Sequence, residues 1–300
     1  MDFILRSLVT LYLVLFSTFI QAAKDPQDSK GIAFVHGTKD HRDDAYGGYW
    51  KVDFIQSIAN SLSKPENHFV VHCDFSQYMW HEDAANCVAD QLLQFVTDKK
   101  ITTLKVYTHS DGANIIRWIL SNPTYDSRYL SLKRYITEVV AIAPSSAGTP
   151  LADEVLNGGI FETSLAWLLG YLSDAVKQQR VGDMLIFNEE LLLGSKGRPS
   201  LSIPFRVVVG TDVVASPFVS SSYCNGYILN SGLKIAKLYL EKCADGYINC
   251  ASQAQAGDVW FYDYEKTDNQ EALNHNQSRH SCSGFDKILI SDLAAEGTVK

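Results

Sequence analysis

Along most of the chain, short and mainly apolar runs alternate with stretches whose apolar residues recur at helical spacing. The runs predict strands over 31–35, 69–72, 103–107, 139–143, 205–209 and 259–262. Between them, the helical spacing predicts helices over 52–62, 84–96 and 113–120. Strands without polar alternation are buried on both faces, as in a parallel sheet covered by helices on either side. The alternation breaks once. From 151 to 203 no strand is evident, and Ile160, Phe161, Leu165, Trp167, Leu168, Leu169, Tyr171 and Leu172 make one stretch apolar almost all round. That stretch reads as a helical insertion over a ligand pocket, a lid or an acyl-binding wall, or else as an ordinary buried helix.

The first residues change the picture of where the chain acts. One basic residue, Arg6, precedes an apolar stretch from 8 to 20 and the small residues Ala22 and Ala23, the pattern of a secretory signal peptide over 1–23. The remainder, 24–300, then forms a single domain, soluble and secreted or periplasmic. The chain of 300 residues is 46% hydrophobic and 20% charged, enough to build a core and too apolar for overall disorder. Its net charge of −8 argues against nucleic acid as a partner, because phosphate tracking needs a basic face. Six cysteines, an even number in an exported chain, point to disulfides. Cys73 and Cys87 stand apart from Cys224, Cys243, Cys250 and Cys282 and suggest one pair, while the other pairings stay open. No Cys-x-x-Cys occurs, so no zinc site is expected.

The candidate chemistry centres on Thr108-His109-Ser110-Asp111-Gly112, between a predicted strand and a predicted helix. A serine on such a turn is a nucleophile elbow, with small residues needed two positions away on either side. Gly112 meets that need on one side, and Thr108 stands on the other. Acyl chemistry at Ser110 requires two backbone N–H groups facing the developing oxyanion. Asp111 supplies one, and Thr38, in Val35-His36-Gly37-Thr38 behind the first strand, supplies the other. His36 suits a role in orienting that loop. The base and acid of a triad follow the elbow in the chain. Asp212, which follows a predicted strand, and Asp245 remain as candidate acids, and His275 and His280 as candidate bases. His41, His72 and His81 lie before the elbow and read as surface or structural residues.

Val35-His36-Gly37-Thr38 followed by Gly48-Tyr49-Trp50 resembles the oxyanion region of bacterial true lipases of the α/β-hydrolase fold, and Gly148-Thr149-Pro150 through Asp153 resembles the approach to their lid helices. The resemblance spans roughly 31–280 and implies a serine esterase acting on lipid or acyl esters, with transient contact with a lipid surface. It favours Asp245, in Ala244-Asp245-Gly246-Tyr247-Ile248, as the acid, and His275, in Asn274-His275, as the base, with Asp212 and His280 as fallbacks. In those lipases the histidine loop also carries calcium ligands, one of them an aspartate two residues beyond the histidine. Gln277 stands there in this chain, a weak partner for a hard cation, so neither metal nor other cofactor is expected. Acyl transfer to an alcohol and depolymerisation of a polyester use the same triad and remain alternatives. A non-catalytic binding protein on this fold is a third, disfavoured because nucleophile, acid and base are all present.

Overall fold

The computed structural model describes residues 29–158, 173–262, 267 and 271–298. The signal-peptide segment over 1–23 and the apolar stretch over 160–172 lie outside the described residues. Eight strands are described: β1 (Lys30–Val35), β2 (Lys39–Asp40), β3 (His68–Val70), β4 (Asp74–Phe75), β5 (Thr103–His109), β6 (Ile136–Ile142), β7 (Phe205–Val208) and β8 (Asp258–Phe261). Six of them form one parallel sheet in the order β3-β1-β5-β6-β7-β8, and β2 pairs with β4 in a small antiparallel ribbon. The central strands are buried along nearly their whole length, and β5 is buried even at its polar residues Lys105, Thr108 and His109.

The helices are α1 (Val52–Ser61), α2 (Cys87–Asp98), α3 (Gly112–Ser121), α4 (Ser127–Lys133), α5 (Pro150–Leu156), α6 (Asp174–Gln178), α7 (Val181–Glu190), α8 (Tyr227–Ala236), α9 (Cys250–Gln253) and α10 (Phe285–Ala295). One face of the sheet packs against residues of α2, α3, α4 and α7, including Leu92, Ile116, Leu132 and Met184. The other packs against α1 and α10 through Phe54, Ile58, Phe285 and Leu289. Between β6 and β7 the described residues form α5, α6 and α7. Thr149 caps α5, its side chain accepting from Leu151 N–H ahead of Pro150 at the first helical position, and Ser173 caps α6 likewise. The expected helix over 84–96 begins later, at Cys87, because a single wide turn over Glu82–Asn86 precedes it. No helix among the described residues is long and apolar enough to cross a membrane.

Below the sheet, Glu138, Asp292 and Glu296 come together in a way that resembles a cation site. Lys105 Nζ already occupies it, 2.6, 2.7 and 2.8 Å from the three carboxylates, and Arg206 binds Glu138 and Asp292 at 2.9 and 2.7 Å. Burial alone would lower the Lys105 pKa, but its hydrogen bonds to these carboxylates raise it overall. The cluster is an ionic clasp joining β5, β6 and β7 to α10.

Three disulfides are present, Cys73–Cys87, Cys224–Cys282 and Cys243–Cys250. The first anchors the start of α2 beside β4. Cys224–Cys282 ties the segment after β7 to that after β8, and Cys243–Cys250 closes a short loop between β7 and β8.

Candidate active site

The order of the sheet reverses between β1 and β5, and the loops at their carboxyl ends open a crevice where α/β sheets bind ligands. Ser110 follows β5 directly, at φ 55°, a left-handed conformation uncommon for a residue with a side chain. Its N–H donates to the Ile142 carbonyl at the end of β6, which fixes the turn to the sheet. A Cβ at Gly112 would collide with the His36 carbonyl oxygen, and one at Gly37 would lie 2.8 Å from Ser110 Cβ. Both positions therefore require glycine for the loop carrying Thr38 to approach the Ser110 turn this closely. Thr108 fits on the other side of the turn because it lies within β5, fully buried.

Ser110 and Thr38 line a cavity of about 190 Å³ together with Tyr49, Thr149, Tyr247 and His275. Neither the Thr38 nor the Asp111 backbone N–H donates to another backbone group among the described residues. The Thr38 side chain accepts from Gln179 Nε2 at 2.8 Å, and the buried Asp111 carboxylate accepts from Gln178 Nε2 at 2.7 Å and Asn114 Nδ2 at 3.0 Å. Burial pushes the Asp111 pKa up to about 6 despite these bonds. His36 is fully buried. Its ring lies between the Gly37 carbonyl and the Cys73 N–H and stacks on Phe75, with centroids 3.9 Å apart, so it braces the Thr38 loop.

The two aspartates and two histidines separate clearly. His275 Nδ1 lies 2.7 Å from Asp245 Oδ2, and the His275 N–H donates to the Asp245 carbonyl. Asp245 Oδ1 accepts from the N–H groups of Tyr247 and Ile248 at 2.9 and 2.7 Å, so the carboxylate is fully buried and fully engaged. Gly246, at φ 99°, gives the tight turn that folds those N–H groups back onto it. Cys243–Cys250 closes the same loop. Asp212 instead binds Lys237 Nζ at 2.5 Å and Lys234 Nζ at 3.5 Å, away from both histidines. His280 does not line the cavity. Burial and the charge of Arg279 push its pKa down to about 3, and its Nε2 has no partner among the described residues.

No protein-family model matches the chain, and no curated protein matches it. Among solved structures, the mature form of the Bacillus licheniformis lipase BlEst2 is similar at TM-score 0.58 and 15% identity, over 91% of this chain and 94% of that one. Its propeptide form aligns at TM-score 0.60 and 15% identity, over 91% of this chain and 51% of that one. This protein has the α/β-hydrolase fold.

One residue of this α/β-hydrolase fold carries more of the site's architecture than its sequence context suggests. His109, next to Ser110, is fully buried. Its Nδ1 lies 2.5 Å from the Tyr49 hydroxyl, and its Nε2 lies 2.8 Å from the His275 carbonyl. Burial, reinforced by the charge of His275, holds its pKa well below 6.5, so the neutral ring accepts from Tyr49 O–H and donates to His275. A single side chain thus joins β5, the Tyr49 loop and the histidine loop. Its only sequence signal is its place beside the serine, and its partners lie far away in the chain.

The calcium arrangement of the resembled lipases does not fit here. The Gln277 amide donates to the Ser221 carbonyl and accepts from the Asn274 N–H, and it supplies no charge. Asn274 Oδ1 accepts from the N–H groups of residues 276 and 277, and Cys224–Cys282 fastens the far side of the loop.

Acid should weaken the fold through these buried imidazoles. His36 and His280 are pushed down to about 3, and His109 is also lowered. Unfolded imidazoles bind protons near pH 6.5, so this stabilisation is complete above that pH and is lost as pH falls below it. Asp111 acts in the opposite direction, because its folded carboxyl takes a proton near pH 6, before an unfolded one would. Three imidazoles outweigh one carboxyl, each group contributing about 1.4 kcal/mol per pH unit within its window. Urea midpoints at pH 7 and pH 5 should therefore fall clearly with acid, and His36→Asn should flatten the difference.

Proposed function

We propose that this protein is a secreted serine hydrolase that cleaves carboxylic esters through an acyl-enzyme. Ser110 is the nucleophile, His275 the base and Asp245 the residue that orients it. The observation that carries this reading is the meeting of three separate chain segments. A serine held at φ 55° shares one cavity with an imidazole whose other nitrogen is 2.7 Å from a buried carboxylate. In the mechanism, His275 Nε2 removes the Ser110 hydroxyl proton as Oγ attacks the ester carbonyl. The carbonyl oxygen becomes an oxyanion held by the Thr38 and Asp111 N–H groups, at the positive end of α3. His275 then gives its proton to the leaving alcohol, and water releases the acid by the same steps in reverse. Lipid or other acyl esters are the substrate class. Three disulfides support export to an oxidising compartment.

A fluorophosphonate probe tests this reading directly. The wild-type protein should be labelled stoichiometrically at Ser110. Absence of labelling would leave a binding protein that retains the fold.

A further inference from the structure

Two adjacent glutamines hold the side chains of both residues that supply the oxyanion N–H groups in the hydrolase reading. Gln178 ends α6 and Gln179 follows it. Successive residues of a helix point about 100° apart, so such a pair can reach two different loops. Gln178 Nε2 donates to Asp111 Oδ2 at 2.7 Å, and Gln179 Nε2 donates to Thr38 Oγ1 at 2.8 Å. Both glutamines are buried.

The glutamines are themselves anchored. Gln178 Oε1 accepts from the Met79 N–H at 2.8 Å, and the Gln179 carbonyl accepts from the Thr149 N–H at 2.8 Å. A Cβ at Gly148, which sits at φ 74°, would lie 2.4 Å from that carbonyl oxygen. The Ala175 N–H donates to the Ser76 carbonyl at 3.0 Å, so α6 is fastened between the segments that follow β4 and β6. Gln179 lines the cavity, yet its amide group is spent on Thr38 and, at 3.0 Å, on the Ala175 carbonyl. It has no hydrogen left for a substrate.

Each oxyanion N–H belongs to a peptide unit that is also held at its carbonyl. His36 Nε2 accepts from the Cys73 N–H at 3.4 Å, so Nδ1 carries the proton and donates to the Gly37 carbonyl at 2.8 Å. The Ser110 carbonyl accepts from the Ala113 N–H at 3.2 Å. A peptide unit is planar, so fixing its carbonyl and the side chain that follows leaves its N–H little freedom. Thr38 depends on this because Gly37 precedes it and Lys39, at φ 97°, follows it, which opens other conformations to the loop. Asp111 depends on it because a carboxylate at a helix N-cap ordinarily turns onto the first N–H groups of that helix. Here it makes no such bond and is drawn aside to Gln178 and Asn114.

We infer that Gln178 and Gln179 are positioning residues for ester hydrolysis, holding Asp111 and Thr38 so that both N–H groups meet the developing oxyanion. The inference rests on the hydrolase reading above and adds the residues behind its oxyanion site. That charge develops only on the way to the tetrahedral intermediate, so misaligned N–H groups lower kcat and leave KM nearly unchanged.

Two variants test this on p-nitrophenyl butyrate. Gln179→Met removes the donor at similar length, and Gln178→Glu removes the donor but keeps an acceptor for Met79. Each should lower kcat by about 10- to 100-fold with KM within about two-fold, less than the outright loss of an oxyanion donor. Thr38→Val deletes Oγ1 and keeps the N–H, so it should cost as much as Gln179→Met, and the double variant no more than either. Adding Asp111→Asn to Gln178→Glu exchanges amide and carboxylate and should recover most of the loss. If Gln178→Glu fails to fold, the cycle at Thr38 decides. Backbone ¹⁵N spectra read the clamp without turnover: Gln179→Met should move the Thr38 N–H resonance and Gln178→Glu that of Asp111. If those resonances move in a protein that cleaves no ester, the clamp stands and only the hydrolase reading falls. Three results would overturn the inference: kcat within about two-fold of wild type in both variants, additive losses in the Thr38 cycle, or unmoved N–H resonances.

Discussion

Ser110→Ala is expected to abolish ester hydrolysis, lowering kcat/KM by roughly 10⁴ to 10⁶-fold while the protein stays folded. The size follows from the mechanism. Without Oγ there is no acyl-enzyme, and His275 has no proton to take, so only the oxyanion N–H groups and substrate positioning remain. The fold should tolerate the change because the Ser110 side chain faces the cavity rather than the core, and its N–H bond to Ile142 is made by backbone. Alanine at φ 55° is no more strained than serine. Hydrolysis of p-nitrophenyl butyrate, the far-UV spectrum and the melting temperature together check this. A variant that melts like the wild type and retains ordinary turnover would remove Ser110 from the mechanism.

Asp245→Asn comes second in size, with an expected fall in kcat of about 10³ to 10⁴-fold and little change in KM. The carboxylate accepts from His275 Nδ1 and so leaves Nε2 free to receive the serine proton; an amide in its place can hold the opposite tautomer. Asp245 also accepts from Tyr247 and Ile248 N–H, so asparagine, which keeps one acceptor oxygen and nearly the same shape, is a gentler change than alanine. Asp212→Asn provides the comparison. It loosens a half-exposed ion pair with Lys237 and Lys234, and such pairs are worth about 0–1 kcal/mol, so activity should change less than about three-fold. If the two variants exchanged behaviours, the acid would be Asp212 and the histidine loop would have to rearrange during turnover.

The parallel sheet and the helices α1, α2 and α3 were legible in the sequence because burial on both faces leaves a local mark, whereas α4 and α10 were not read from it. Runs such as Ile32-Ala33-Phe34-Val35 and Val139-Val140-Ala141-Ile142 contain no polar residue at all. Elements without such a mark were not legible. β2 and β4 have two residues each, and α8 leaves Ile228 and Ile235 exposed, so their hydrophobic pattern is weak or misleading. The turn carrying Ser110 was likewise legible, since Gly112 and the strand-to-helix change are neighbours in the chain.

By itself, then, the sequence determined the strand–helix alternation, the serine turn and a short set of candidate acids and bases, all encoded within a few adjacent residues. Only the tertiary structure decided that Asp245, not Asp212, meets His275, that His280 stands outside the cavity, and which cysteines pair in the last third. It also revealed His109 as the link between Tyr49 and the histidine loop, and Arg279 laid over the Tyr49 ring. These relations join residues far apart in the chain. They exist because parallel strands bring all their carboxyl-end loops to one edge of the sheet, where proximity is set by strand order rather than by spacing in sequence.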